Sequence, residues 1–203
     1  MITKIMSKIY VAYIEIVVLT SKVTIDKEFD SERIKNSIVS SWHGDSFAMN
    51  FLLREFSNEK NVLYGVTNSS WRGQFIAEMM HTYGGKSVRM PSGIKMKGYL
   101  TKLKEVSKIE NSSLYITLDG PDGPVREPKK IGFMLSNESG KKLLLVDVTY
   151  SRKVILRRWD KYAIPLPFGK IYFTAHDIGV VSKENLKEFK DFKNITKELY
   201  SYA

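Results

Sequence analysis

"SIVSSWHGDSFAMNF", residues 37–51, carries a short apolar run into a Trp-His-Gly corner and leaves it as an amphipathic stretch. The first part, "SIVSSW", reads as a short buried strand. From Gly44 onward Phe47, Ala48, Phe51, Leu52 and Phe56 follow the i, i+1, i+4, i+5 spacing of one helix face, so a helix is expected directly after His43. A strand that hands over to a helix in this way points to an α/β fold and puts His43 at the corner.

The same unit recurs on either side. "NVLYGV" (61–66) predicts a strand and residues 72–83 a helix, with Phe75, Ile76, Met79, Met80 and Tyr83 on one face and Gly84-Gly85 ending it. "KSVRM" (86–90), a helix over 92–106 and "SLYITL" (113–118) follow, then the turn-rich "DGPDGP" (119–124). A helix over 130–139 closed by Gly140 precedes strands at "KLLLVDV" (142–148), "KVILR" (153–157) and "KIYFTA" (170–175). Ser182 reads as the N-cap of a last helix whose Leu186, Phe189, Phe192, Ile195 and Leu199 recur at helical steps. At the other end Ile5, Ile9, Tyr13, Ile16 and Thr20 define a helix with an unusually apolar circumference. The expected architecture is one α/β domain with a mainly parallel mixed sheet of about seven strands flanked by helices. Residues 23–203 form its folding unit, and residues 1–22 an apolar helix before it.

At 203 residues the chain can build one sizeable core, and 43% apolar residues without repeats or biased tracts argue against disorder and solenoids. Thirty-two Lys and Arg against 22 Asp and Glu leave a net charge of +10, which favours anionic partners. The absence of cysteine excludes disulfides, thiolate metal sites and a cysteine nucleophile. Lys4 and Lys8 before an apolar run resemble a signal peptide, but Glu15 interrupts the run and no small-residue cleavage site follows, so the segment is expected to be retained. The run over 9–19 is about half of the ~20 residues a spanning helix needs, which suits a membrane interface or a cap on the core. No P-loop or dinucleotide glycine spacing is present, and no recognition helix or RNA-binding aromatic motif supports a specific nucleic-acid partner. His43, His81 and His176 are too scattered to argue for a metal.

In a parallel sheet ligands bind beyond the carboxyl ends of strands, where His43 and Asp119 both fall. Histidine titrates near neutrality, so it can take a proton from a hydroxyl, and either Asp45 or Asp119 could hold its ring. "LDGPDGPVREPKK" (118–130) is a turn-forming loop that runs into a helix start, where backbone N–H groups and Arg126, Lys129 and Lys130 favour an anion. "RRWDKYAIPLPFGK" (157–170) cannot be helical through Pro165 and Pro167, and its aromatics and lysines suit either a membrane edge or a packed loop.

Taken in order, "SWHG", "WRGQFIAEMMHTYGGKSVRMPS", "YITLDGPDGP" and "WDKYAIPLPF" resemble the lysophospholipid-acyltransferase-like proteins grouped as domain of unknown function 374, over residues 37–178. Relatives in that group include enzymes that add a secondary acyl chain to lipid A. More widely, the chain is similar to the glycerolipid acyltransferase superfamily. The resemblance implies transfer of an acyl group from a thioester, on acyl carrier protein or coenzyme A, to the hydroxyl of a lysophospholipid or lipid A-type acceptor, with no bound cofactor.

The superfamily's first block is His-x-x-x-x-Asp, and here His43 matches while Ala48 stands at the acid position. The phosphate-binding second block maps onto Gly73, Phe75, Arg89 and Ser92. The third, Glu-Gly-Thr-Arg, falls on Asp119, Gly120, Pro121 and Asp122, with Asp122 replacing the arginine, and the fourth falls on Ile164, Pro165 and Leu166. The implied mechanism makes His43 the general base, Asp45 or Asp119 its partner, and backbone N–H groups near Gly44 or Gly120 the oxyanion donors. Arg89, Arg126, Lys129 and Lys130 would meet an anionic headgroup. The expected location is peripheral, on an anionic membrane surface at the cytoplasmic face of the inner membrane. A non-catalytic lipid-binding or accessory protein is the competing reading, and Ala48 is the residue that favours it.

Overall fold

The computed structural model describes residues 2–26, 31–90 and 96–187. β2 (Ser37–Ser41) is buried along its whole length and occupies the middle of a seven-stranded sheet. A strand paired at both edges and covered on both faces has no solvent side, so its residues are small or apolar without alternation. β2 pairs in parallel with β5 (Ser112–Thr117), opposing Val39 to Tyr115, and with β6 (Lys142–Tyr150), opposing Val39 to Leu144. β3 (Val62–Asn68) lies parallel beside β5, and β4 (Lys86–Met90) parallel beside β3. On the far side β9 (Lys170–Gly179) runs antiparallel to β6, and β1 (Lys22–Ile25) parallel to β9, giving the order β1-β9-β6-β2-β5-β3-β4. The sheet is mainly parallel and mixed, as expected.

Side chains leave a strand alternately to its two faces. On one face Val39, Leu144, Val146 and Phe173 meet α1 (Ile2–Thr20), α3 (Met49–Phe56) and α4 (Trp71–Thr82) through Ile14, Val17, Phe51, Leu52 and Met79. On the other, Ile38, Leu114 and Leu145 meet α5 (Met96–Ser107) and α6 (Ile131–Ser139) through Leu103, Val106, Phe133 and Leu135. Gly140 adopts the left-handed φ of 70° that closes α6. Ser182 Oγ accepts the Asn185 N–H while Asn185 Oδ1 accepts the Ser182 N–H, both at 3.1 Å, a reciprocal cap on α7 (Lys183–Lys187). Phe189, Phe192, Ile195 and Leu199 lie outside the described residues. α2 (Ser31–Ile34) is a single turn before β2.

Three features differ from the sequence expectation. β1 adds an edge strand too short for its period to register. "KVILR" is not in the main sheet: β7 (Lys153–Ile155) pairs antiparallel with β8 (Ala163–Pro165) as a separate ribbon. Both edges of β6 are already taken, by β2 and β9, so β7 has no edge to join there, and Val154 and Ile155 remain 45% and 51% exposed. The helix after His43 begins as one 3-10 turn (His43–Asp45) and becomes α-helical only at Met49.

α1 is part of the same core through Ile14 and Val17, yet Ile2, Ile5, Ile9, Ile16 and Leu19 face outward. No described helix is long and apolar enough to cross a membrane. Phe173, fully buried and edge-on to Phe51 at 6.3 Å, ties β9 to α3. Phe173→Ala should cost ~3–5 kcal/mol, read as a lowered urea midpoint with unchanged slope.

Candidate active site

Two clamps hold the His43 backbone at the end of β2. Asp119, fully buried just past β5, accepts the His43 N–H through Oδ1 at 2.8 Å and the Arg126 N–H through Oδ2 at 3.3 Å. From the helix side Ser46 Oγ donates to the His43 carbonyl at 2.7 Å, and the Tyr115 hydroxyl lies 2.9 Å from Ser41 Oγ and 3.3 Å from Ser46 Oγ. Asp119 therefore fixes where the histidine sits, and it does so through the main chain.

The carboxylate on the imidazole ring is neither Asp45 nor Asp119 but Asp160, whose Oδ2 lies 2.8 Å from His43 Nδ1. The same oxygen accepts Arg158 Nη2 at 2.9 Å, and the Asp160 side chain is fully buried. A carboxylate can only accept here, so Nδ1 carries a hydrogen, and in the neutral ring Nε2 is then the nitrogen with the lone pair. Trp159 stands beside the ring, centroids 5.4 Å apart. Gly44 makes this approach possible, because a Cβ there would lie 2.4 Å from the Asp160 carbonyl oxygen. Gly123 does the same for Trp159, whose ring would be 2.7 Å from an added Cβ.

Asp45 has a different environment. It is buried, and its Oδ1 accepts the Tyr150 hydroxyl at 3.0 Å. Burial pushes its carboxyl up to about 6, the Tyr150 hydrogen bond opposes the rise, and the Asp147 carboxylate adds to it. Desolvation also raises Asp147 itself.

His43 opens onto a cleft of about 1010 Å³, the upper end of the ~300–1,000 Å³ typical of small-molecule sites. One side is apolar between sheet and helices, with Val39, Leu52, Leu53, Leu63, Ile76 and Met80; Val66, Met90, Tyr99, Leu100, Ile116 and Ile131 line it from the other sheet face. Gly65 leaves room on the cleft wall, where an added Cβ would meet Met80 Cε at 2.7 Å. Thr67, whose buried Oγ1 has no hydrogen-bond partner among the described residues, also lines the cleft. The only charged side chains along it, among the described residues, are Arg72 and Arg158.

The structure brings some of the sequence-derived residues to this cleft and not others. Gly73, Phe75 and Gly120 line it, and Gly73 lets α4 start against the Asn68 carbonyl, which an added Cβ would approach to 1.8 Å. Arg89 is instead spent on the β3–α4 turn, donating to the Asn68 carbonyl at 2.9 Å and bonding Gln74. Asp122 is exposed and outside the cleft, as are Arg126 and Lys130; Lys129 bonds the Leu118 carbonyl through its main chain at 2.7 Å. Pro165 caps β8, its carbonyl accepting the Tyr13 hydroxyl at 2.9 Å, and Ser92 lies outside the described residues. The Gly120 N–H is committed to the Thr117 carbonyl at 3.3 Å, which removes it as an oxyanion donor.

Sequence reasoning missed Arg158 and Asp160 as site residues. "RRWDKY" drew attention for its bases and aromatics, and its single acid lies 117 residues from His43, beyond any helical or strand period. The usable signal was the lone Asp itself, set among Arg157, Arg158 and Lys161.

No family model matches the chain. It is 26% identical over 152 residues to the uncharacterized protein RP090 of Rickettsia prowazekii (strain Madrid E), covering 71% of this chain and 67% of that protein. Among solved structures, the fold is similar to that of the 1-acyl-sn-glycerophosphate acyltransferase PlsC from Thermotoga maritima, with a TM-score of 0.52 over 96% of this chain and 80% of that one. Identity there is 18%, so the likeness establishes the fold.

The Asp45 environment has a measurable consequence. A carboxyl raised by folding contributes stability that is complete below its unfolded pKa near 3.9 and lost as pH rises through about 6. Asp45→Asn, which keeps an acceptor for Tyr150, should match wild-type stability at pH 3. By pH 8 it should exceed wild type by on the order of 2–3 kcal/mol in denaturant melts.

Proposed function

We propose that the chain is an acyltransferase that moves an acyl group from a thioester to a lipid hydroxyl, with His43 as general base. The observation that carries the reading is the 2.8 Å contact of His43 Nδ1 with Asp160 at the end of a largely apolar cleft. Nε2 takes the proton of the acceptor hydroxyl as its oxygen attacks the thioester carbonyl. The tetrahedral intermediate collapses with loss of the thiolate, which takes the proton back from the imidazolium. Asp160 holds the ring in the required tautomer and stabilises the imidazolium, and the Gly44 N–H is the remaining candidate for the oxyanion. The apolar cleft walls accommodate an acyl chain. Acyl carrier protein and coenzyme A both remain as donors, and a lysophospholipid or a lipid A-type sugar as acceptor.

The competing accessory reading rested on Ala48, which is fully buried in the core and cannot supply an acid. Asp160 offers a carboxylate from another part of the chain, so a missing partner no longer argues against catalysis. His43→Ala and Asp160→Asn should each lower acyl transfer by roughly 10²- to 10⁴-fold. The assay follows labelled acyl chains from acyl-CoA or acyl carrier protein to lysophosphatidate and to a lipid A precursor. Wild-type rates in purified His43→Ala would overturn His43 as the base, and no transfer by the wild type would return the protein to the accessory reading.

The membrane side of the proposal rests on α1. Its outward stripe of Ile2, Ile5, Ile9, Ile16 and Leu19 runs beside Lys4 and Lys8, while its Met6 and Tyr10 line the cleft. Such a helix suits the interface of an anionic leaflet, each nearby Lys or Arg adding ~1 kcal/mol. The cleft would then lie beside the lipid it draws from, with the cytoplasmic face of the inner membrane as the proposed location. Flotation should show stronger binding to anionic than to neutral vesicles and a loss in Ile5→Gln/Ile9→Gln. Equal binding to both vesicle types would remove the electrostatic part.

A further inference from the structure

We infer that Arg158 is a phosphate-binding residue, holding a phosphate ester of the substrate beside the His43–Asp160 pair. The inference rests on the acyl-transfer reading and adds to it the chemical class of the group recognised. The charged side chains among the cleft's described lining residues are Arg72 and Arg158, and the Asp160 carboxylate that bonds Arg158 is itself buried. A partly water-excluded site with that imbalance selects an anion.

Of the two, Arg158 is pre-organised. Nη2 is anchored on Asp160 Oδ2 at 2.9 Å, and the guanidinium carbon lies 4.8 Å from the Tyr162 ring centroid. The side chain is nonetheless 46% exposed and lines the cleft. A guanidinium fixed at one nitrogen and stacked on a ring presents its other donors in a set fork, the geometry that matches phosphate oxygens. Asp160 Oδ2 receives both the imidazole and the guanidinium, so an anion on Arg158 lies next to the reacting groups. Neutralising the buried Asp160 carboxylate engages Nη2, and the half-exposed remainder of the Arg158 side chain lines the cleft.

The test separates binding from turnover. Inorganic phosphate is titrated into the full chain while the indole N–H of Trp159, next to Arg158, is followed by NMR. Wild type should show a saturable shift, Arg158→Gln a roughly 10- to 100-fold weaker one, and Arg158→Lys an intermediate one, with native melting in all three. No shift in wild type, or an equal shift in Arg158→Gln, overturns the inference. Retained binding in wild type with no acyl transfer would leave it standing and remove the acyl-transfer reading alone.

Turnover then identifies the source of the phosphate. Lysophosphatidate is compared with monoacylglycerol as acceptor, and acyl-CoA with an acyl-N-acetylcysteamine thioester as donor. Arg158→Gln should abolish the preference for the phosphate-bearing member of one pair, chiefly through KM. Loss in the acceptor pair assigns the site to the lipid headgroup, and loss in the donor pair to the phosphopantetheine arm. An equal fall in kcat for substrates with and without phosphate would make Arg158 a positioning residue for Asp160 and overturn the assignment.

Discussion

A carboxylate with no solvent contact costs several kcal/mol unless its charge is met inside the protein. At Asp160 that demand is met by one imidazole and one guanidinium on the same oxygen, while Oδ1 finds no donor among the described residues. The surrounding structure is arranged around this contact. Gly44 removes the Cβ that would strike the Asp160 carbonyl, Gly123 makes room for Trp159, and Asp119 pins the His43 main chain so that the ring faces the loop. A methyl group at Gly44 would strike the Asp160 main chain, and one at Gly123 the Trp159 ring beside it.

Three aspartates converge on this corner, and their surroundings separate their roles. Asp119 accepts two main-chain N–H groups and works as a structural clamp between β2 and the loop after β5. Asp45 meets a phenol, and burial raises it to about 6. Asp160 meets the imidazole. Only the last touches the His43 ring, although Asp45 is two residues from His43 in sequence and Asp160 is 117 away.

That contrast shows where sequence reading stops. Strand and helix periods act over a few residues, so the alternating units, the His43 corner, the Gly140 stop and the Ser182 cap could all be read locally. The 153–157 strand was legible as a strand, but its membership of a separate ribbon depends on β9 having taken the edge of β6 first. The identity of the ring's partner is a matter of loop packing across the end of the sheet, which no period encodes. Ala48, at the position where the resembled motif carries its acid, is buried in the core, and the carboxylate on the ring comes from a residue outside that local stretch.

Placing the acid on a loop rather than on α3 changes what the pair depends on. An acid five residues from the histidine would sit on the same continuous segment, between the 3-10 turn and α3, and its distance would depend on local backbone alone. Asp160 instead keeps its distance only while the β7–β8 ribbon is seated, and the ribbon's own strands bond to each other rather than to the main sheet. Its fastening includes the Tyr13 hydroxyl on the Pro165 carbonyl, and Tyr13 belongs to α1. A physical chain thus runs from α1, through Pro165 and the ribbon, to Asp160 and the His43 ring. The helix with the outward apolar stripe and the geometry of the His43–Asp160 pair are joined by contacts that can be broken one at a time.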